Sequence, residues 1–362
     1  MSSIVAVALL AVGSFEQYQV DNETTCVGKP GTVLAAPETW SASGHGFTAS
    51  GARLEVKAEQ PEAGVARLGL LAAIKDFSAE TKKNLEIFVE AFKKAGVRAI
   101  IVDGDSAYGV DDQDTTLAEV FSFLGDQGVP VYVVIGNSES RSAFNRGLLT
   151  AWRKNKSVIN LDLVRRVDGD GFTLVSLPGY FDKRFIAETS GCNYKVEDAQ
   201  ELARLARDAT APVVLVTHGP PRQEGKLSLD VTLDGKNVGD PDLAKAIADA
   251  KINFGVFGHI LEAGGRATDL EGKKAIKPGA AAPALFVNPG PAFADPWGMN
   301  DGRTSRGMAA ILTLKGGKGE WTQVLAAAPE KAVKTKGKKP DAKKAVAAKP
   351  QAAGPRAGKQ SE

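Results

Sequence analysis

Apolar runs typical of buried strands alternate with helical patterns from residue 65 onward. The first run covers 65–73, and 78–96 then carry apolar residues three and four positions apart, between Ser78, a helix-capping residue, and Gly96, a helix-ending one. The same alternation predicts further strands at 97–102, 129–135, 172–177, 213–216, 252–257 and 284–287, and helices at 115–124, 140–152, 196–208 and 241–250. Residues 308–314 and 321–325 predict a closing hairpin. This order indicates a layered α/β domain.

The composition divides the chain into four parts. Residues 1–13 are a short, weakly signal-like apolar segment, and 14–64 are rich in Thr, Ser, Gly, Glu and Pro, which predicts an irregular extension with short strands. The layered domain is expected at 65–328. Residues 329–362 are Lys, Ala, Pro and Gly with almost no large apolar side chain, so we expect a disordered basic tail.

The cellular compartment depends on two ambiguous features. Residues 11–13 resemble a small-residue cleavage site, but no Lys or Arg precedes Lys29, so the segment is either a weak export signal or an ordinary buried strand. Cys26 and Cys192 pair in an oxidising compartment and are unrelated in a cytoplasm. A periplasmic protein is therefore one expectation and a cytoplasmic one the other. No run of 18 apolar residues predicts a membrane-spanning helix.

Charge is distributed unevenly along the chain. Residues 331–362 contain ten Lys or Arg and two acidic residues, a net charge of +8, which leaves about −6 for the remainder of a chain with a total of +2. The tail contains no aromatic residue for base stacking, so nucleic acid is not favoured as a partner. We expect the tail to be a spacer or to contact an unknown protein or an anionic surface.

Four polar residues follow four of the predicted strands. Asp105 and Asn137 come after glycines that end apolar runs, and His218 and His259 end two further runs. The carboxyl ends of strands are where α/β sheets place ligands. One carboxylate, one amide oxygen and two imidazoles suit Zn, Mn or Fe. The alternative is a polar pocket in which the two histidines are hydrogen-bonded without a metal. The third histidine, His45, is expected to be solvated.

The order of these motifs resembles the calcineurin-like metallophosphoesterase superfamily over roughly residues 65–326. Its signature is Asp-x-His, Gly-Asp, Gly-Asn-His-Glu/Asp, a lone His and Gly-His-x-His, each after a strand. This chain has Gly104-Asp105, Gly136-Asn137-Ser138-Glu139, His218 in Thr-His-Gly-Pro-Pro, and Gly258-His259-Ile260-Leu261. The resemblance implies a layered β-sandwich flanked by helices that hydrolyses phosphate esters with two bridged metals.

The departures from the signature fall on one side of the implied site. Ala73 and Lys75 stand in place of the first Asp and His, Ser138 in place of the catalytic His, and Leu261 in place of the last His. The resemblance implies that three of the four ligands of the first metal are lost. It also implies that all four ligands of the second metal are present, namely Asp105, Asn137, His218 and His259.

A half-lost site predicts weak chemistry. Ser138 supplies no general acid near neutral pH, which alone costs roughly two to four orders of magnitude in rate. We therefore expect a non-catalytic or single-metal binding protein, a pseudoenzyme that holds one divalent ion (Mn, Zn or Fe) or none. The alternative is an active phosphoesterase with a mononuclear site. Lys75 either pairs with Asp105 in place of the lost metal or is solvated, and Arg141 either contacts a phosphate or lies on the surface.

Overall fold

Two β-sheets pack face to face in the computed structural model, which describes residues 13–187 and 189–327. The first sheet has six strands in the order β17-β16-β4-β5-β6-β7. Strands β4 to β7 run parallel, and β16 and β17 add an antiparallel hairpin at the β4 edge. The bounds are β4 Val65–Leu71, β5 Ala99–Asp103, β6 Val131–Val134, β7 Val158–Asn160, β16 Met308–Lys315 and β17 Lys318–Leu325.

The second sheet has nine strands in the order β1-β2-β3-β8-β9-β10-β11-β13-β12. Its centre, β9 to β11 with β13, is parallel. The bounds are β1 Glu38–Ala42, β2 His45–Ala49, β3 Arg53–Ala58, β8 Arg166–Gly169, β9 Phe172–Leu177, β10 Val213–Thr217, β11 Phe254–Val256, β12 Arg266–Thr268 and β13 Leu285–Asn288. A separate small ribbon pairs β14 Trp297–Gly298 with β15 Thr304–Ser305.

The helices start and end largely where capping residues predict. The first long helix begins after Ser78, whose side chain accepts a hydrogen bond from the Thr81 N–H, and ends at Gly96 in the left-handed region. The predicted helix at 196–208 is instead two short ones. The bounds are α1 Phe15–Asp21, α2 Ala79–Ala95, α3 Gln113–Gly125, α4 Arg141–Lys154, α5 Val196–Gln200, α6 Leu202–Ala206 and α7 Pro241–Asp249, with 3₁₀ turns at Lys183–Phe185 and Leu261–Ala263.

Three apolar cores give the molecule four layers. The central core lies between the sheets, with residues such as Leu68 and Ile101 from one sheet facing Val214 and Val256 from the other. A second core packs α2, α3 and α4 on the six-stranded sheet. A third packs α5, α6 and α7 on the nine-stranded sheet. The predicted layered α/β sandwich flanked by helices is confirmed.

The segment before the first predicted strand contributes to the same structure. Strand β3 pairs in parallel with β8, so β1, β2 and β3 extend the nine-stranded sheet. Helix α1, which the sequence pattern did not predict, places Phe15 against Trp40 and Trp152, with ring centroids 5.3 and 5.7 Å apart. Phe15 also belongs to the central core. Burial of these rings fixes the extension on the sandwich.

Cys26 and Cys192 form a disulfide, with their Cα atoms 5.1 Å apart. Of the two alternatives for these cysteines, the structure confirms the one in which they pair. Two other expectations, the signal-like segment before residue 13 and the basic tail after 327, fall outside the described residues. Among the described helices, none is both long and apolar enough to cross a membrane.

Reduction of the Cys26–Cys192 bond should lower stability substantially, because the bridge closes a 166-residue separation. Loop-closure entropy predicts a loss of roughly 2–5 kcal/mol in the free energy of unfolding. Chemical denaturation of the protein with and without dithiothreitol measures it. The Cys26→Ala/Cys192→Ala double variant is the control, and it should match the reduced wild-type protein and be insensitive to dithiothreitol. Equal stability of oxidised and reduced wild type would contradict this expectation.

Candidate metal centre

Four strand ends meet at one edge of the sandwich. Asp105 and Asn137 follow β5 and β6 of the six-stranded sheet, while His218 and His259 follow β10 and β11 of the nine-stranded sheet. Parallel strands within each sheet bring their carboxyl ends to the same edge, and packing of the two sheets places these edges side by side. A hydrogen bond of 3.0 Å from His218 Nδ1 to the Asp103 carbonyl crosses between the sheets.

The structure brings together all four residues that the sequence singled out. Asn137 Oδ1 lies 2.8 Å from His218 Nε2 and 2.8 Å from His259 Nδ1. His218 Nε2 is also 3.3 Å from Asp105 Oδ1 and 3.3 Å from His259 Nδ1. His218 is fully buried, and Asp105 and Asn137 are nearly so. One carboxylate oxygen, one amide oxygen and two imidazole nitrogens thus face a common point.

Backbone contacts fix the direction in which two of these side chains point. The Asn137 amide nitrogen donates a hydrogen bond to the Phe185 carbonyl over 2.6 Å, which turns the amide oxygen toward the histidines. Asp105 Oδ1 accepts the backbone N–H groups of Asn137 and Ser138, each over 3.1 Å. The oxygen donors are therefore positioned before any ligand arrives.

The spacing and chemistry of the four donor atoms fit a metal ion. Because Nδ1 of His218 donates to a carbonyl, a neutral imidazole presents the lone pair of Nε2 to the oxygens of Asp105 and Asn137. Metal bonds of about 2.0–2.2 Å place neighbouring ligand atoms roughly 3.0–3.4 Å apart. The observed separations of 2.8–3.3 Å match that spacing closely. These atoms need a shared cation, or additional protons, to remain so close.

Ionisation states at neutral pH favour metal binding. Burial, reinforced by His218, lowers the pKa of His259 to about 3, so its imidazole is neutral. Burial opposes the charge on Asp105, but His218, His259, Ser138 and Lys75 together hold its pKa below the usual value. A neutral imidazole and an ionised carboxylate are the forms that bind metals.

Two buried acids that the sequence reasoning missed support the site. Glu139 accepts the backbone N–H groups of Ser106, Ala107 and Gly136, and so ties the loop after β5 to the loop after β6. Burial and the nearby Asp105 raise its pKa to about 8. Asp103 is fully buried, and burial followed by Asp105 raises its pKa well above the usual value. Two acids in Asp103-Gly104-Asp105 were a sequence signal for the second of these.

Backbone strain concentrates at the site. Seven non-glycine residues among those described have a positive φ, and four of them are Ala73, Lys75, Asp105 and His259. Gly104 also has a positive φ of 71°, and a Cβ there would lie 2.5 Å from His218 Nδ1. Strained conformations of this kind persist where the surrounding structure enforces them, typically at functional sites.

The positions where the resemblance implied a first metal are filled by apolar groups. Ala73 and Leu261 pack with Phe293 in one buried cluster, and Trp297 lies against it. The Lys75 ammonium lies 4.4 Å from the Phe293 ring centroid and 4.6 Å from that of Trp297. No carboxylate of the described residues forms an ion pair with it, so the alternative in which Lys75 pairs directly with Asp105 is wrong.

Ser138 and Arg141 follow Asn137 along the chain. Ser138 is buried, and its backbone N–H is bound to Asp105. Arg141 Nε donates to the Ser190 carbonyl over 2.7 Å, and Arg141 lines a cleft of about 500 Å³ together with Lys183 and Lys195. The loop forming the wall of this cleft reaches the centre, because the Ala187 N–H donates to the Asn137 carbonyl.

Comparison with known proteins gives structural matches. No family model matches the chain. No curated protein matches it either. One solved structure, whose protein is not named, aligns with a TM-score of 0.50 and 15% identity over 73% of this chain and 100% of that chain. A dimetal phosphatase from Danio rerio aligns with a TM-score of 0.45 and 15% identity over 74% and 100%.

A third match is GAP50, described as the anchor in the inner membrane complex of Plasmodium, with a TM-score of 0.45 and 15% identity over 74% of this chain and 88% of that chain. At such identities a likeness concerns the fold alone. The helix, sheet, sheet, helix layering and the polar residues at four strand ends agree with it. The layered fold is thus shared with the solved structure aligned at a TM-score of 0.50, and it is the β-sandwich flanked by helices that the motif resemblance implied.

Proposed function

We propose that this protein binds one divalent metal through Asp105, Asn137, His218 and His259, and that it is a binding or structural protein rather than an efficient phosphoesterase. The convergence of four donor atoms within 2.8–3.3 Å carries the metal part of the proposal. Carboxylate, amide and imidazole donors favour Mn, Zn or Fe. A metal at this point would supply a Lewis acid toward an anionic ligand.

The loss of efficient catalysis follows from the other half of the site. Ala73 and Leu261 offer no donor atom and pack against Phe293, so this half has no ligand set for a second metal. Two-metal phosphoryl chemistry stabilises both the attacking and the leaving oxygen, and one centre cannot do both. Ser138 provides no general acid. A slow mononuclear phosphoesterase is the competing function, supported by the ionised Asp105 and neutral His259.

We also propose an exported, periplasmic location. The Cys26–Cys192 bond supports it, because disulfides persist in oxidising compartments and are rare in a reducing cytoplasm. The disulfide also fixes one end of the loop that contacts the proposed metal centre. The Cys192 carbonyl accepts a hydrogen bond from the Tyr180 N–H, at the start of that loop. Fractionation of cells expressing the full chain, with alkylation of free thiols before lysis, tests the location.

The amount of metal bound by the protein should depend on the four proposed ligands and not on His45. We expect about one Mn, Zn or Fe per chain after dialysis of the wild-type protein, and a large loss in His218→Ala because its nitrogen is shared among the donors. His45→Ala is the matched control, since its ring contacts the Ser43 carbonyl far from the centre and its removal should leave metal content unchanged. Elemental analysis of each variant measures this. Equal metal in the wild type and His218→Ala would contradict the proposal.

Restoring phosphatase activity should require several changes at once. We expect Ala73→Asp, Lys75→His, Ser138→His and Leu261→His each to give no more activity than the parent, because ligands and general acid act as a unit.

Their fourfold combination should hydrolyse aryl phosphates in Mn²⁺ clearly faster than the parent, most strongly when Phe293→Gly opens the filled half. A mono- and diester panel at fixed Mn²⁺ measures the rates. A fast parent, or full activity from one repair, would contradict the proposed function.

A further inference from the structure

An aromatic box holds the Lys75 ammonium beside the proposed metal centre. Its nitrogen lies 4.4 Å from the ring centroid of Phe293, 4.6 Å from that of Trp297 and 5.6 Å from that of Tyr108. All three distances are within the range at which a ring attracts a cation. The box therefore holds a positive charge in a defined place without neutralising it.

The ammonium has unused hydrogen-bonding capacity. Lysine carries three N–H donors, and no acceptor of the described residues lies within hydrogen-bond distance of this nitrogen. Aromatic faces attract the charge but accept these N–H groups only weakly. Lys75 is half-buried, so part of its side chain is open to solvent. A polar ligand beside the ammonium can therefore accept these hydrogen bonds.

Backbone contacts tie Lys75 to the centre. Its N–H donates to the Asp105 carbonyl over 3.0 Å, and its own carbonyl accepts the Tyr108 N–H over 2.8 Å. Its φ of 65° is in the left-handed region, so the residue is held in a conformation that lysine rarely adopts. The side chain thus starts from a fixed point next to one of the four donors.

The charges around Lys75 indicate the sign of the charge on the ligand. The four donors include a single carboxylate, that of Asp105, beside one amide oxygen and two imidazole nitrogens. A divalent ion leaves this set at a net +1, and Lys75 adds another positive charge. Asp105, Asp295 and Asp76 attract the ammonium, although none of them forms an ion pair with it. The metal ion and the ammonium together present a local positive charge that favours an anion.

We propose that Lys75 is an anion-binding residue of this site, which donates hydrogen bonds to an oxygen of a phosphate group bound at the metal centre. The inference rests on the proposed metal binding and adds a second, organic cation to it. The positively charged side chain takes the side of the site where Ala73 and Leu261 offer no donor, so a phosphate group is contacted from both sides. Phe293 and Trp297 keep the ammonium in place.

Phosphate affinity of the Mn²⁺-loaded protein tests this role. Inorganic phosphate is titrated by calorimetry into wild type, Lys75→Met and Lys75→Arg, after metal content of each has been measured. Lys75→Met keeps the length and loses the charge, and we expect its affinity to fall roughly ten- to a hundredfold, as for a lost charged hydrogen bond. Lys75→Arg should recover most of the affinity. Trp297→Leu should lower it by a smaller factor, because the ammonium is then free to move.

Lys82→Met is the matched control. Its ammonium also lies over an aromatic ring, that of Phe77 at 5.7 Å, but on the surface of α2. We expect it to bind phosphate like the wild type. If the wild type and Lys75→Met both bind Mn²⁺ and have equal affinity for phosphate, the role of Lys75 is overturned but the proposed metal binding is not. Absence of bound Mn²⁺ in the wild type would overturn the proposed function and the inference together.

Discussion

The close approach of side-chain donor atoms from both sheets is the constraint on which the rest of the site depends. The Asn137 oxygen and the nitrogens of His218 and His259 approach within 2.8–3.3 Å, although they come from different strand ends in two sheets. Such a cluster persists only where the backbone enforces it. The positive φ angles of Asp105 and His259 and the close approach at Gly104 are the means by which it does so.

The two halves of the site meet that constraint in opposite ways. On one side, the donors remain and are oriented by backbone N–H groups and carbonyls. On the other side, Ala73, Leu261 and Phe293 exclude water and need no counter-ion. Lys75 lies at the boundary, where the rings of Phe293 and Trp297 stabilise a positive charge that the apolar cluster by itself would disfavour. The aromatic rings that fill the positions of the implied first metal therefore hold the lysine ammonium instead.

The layered fold could be predicted from local sequence signals. The features that could not be predicted depend on packing between residues far apart in the chain. Ser78 caps the start of α2 and Gly96 caps its end, so the bounds of α2 could be predicted closely from sequence. The four donors could also be singled out, because each follows an apolar run. Helix α1 is only seven residues long and forms because Phe15 is buried against Trp40 and Trp152, which no local pattern reveals.

The same reasoning applies to the surroundings of Lys75. Tyr108 is near in sequence, but Phe293 in the loop after β13 and Trp297 in β14 are far along the chain. Glu139 was given no role in the sequence analysis for a different reason. An acidic residue just before a helix is usually expected to be exposed to solvent. Here its carboxyl accepts three backbone N–H groups from two loops.

The disulfide connects the stability of the extension to the orientation of a donor. Cys192 accepts through its carbonyl the N–H of Tyr180, which follows β9, and this fixes the start of the loop that carries Phe185. Phe185 in turn accepts from the Asn137 amide and so determines which atom of Asn137 faces the histidines. With the amide reversed, an N–H group would point at the donors and a cation would be repelled. The Cys26–Cys192 bond is therefore connected to the candidate metal centre through the backbone carbonyls of Cys192 and Phe185.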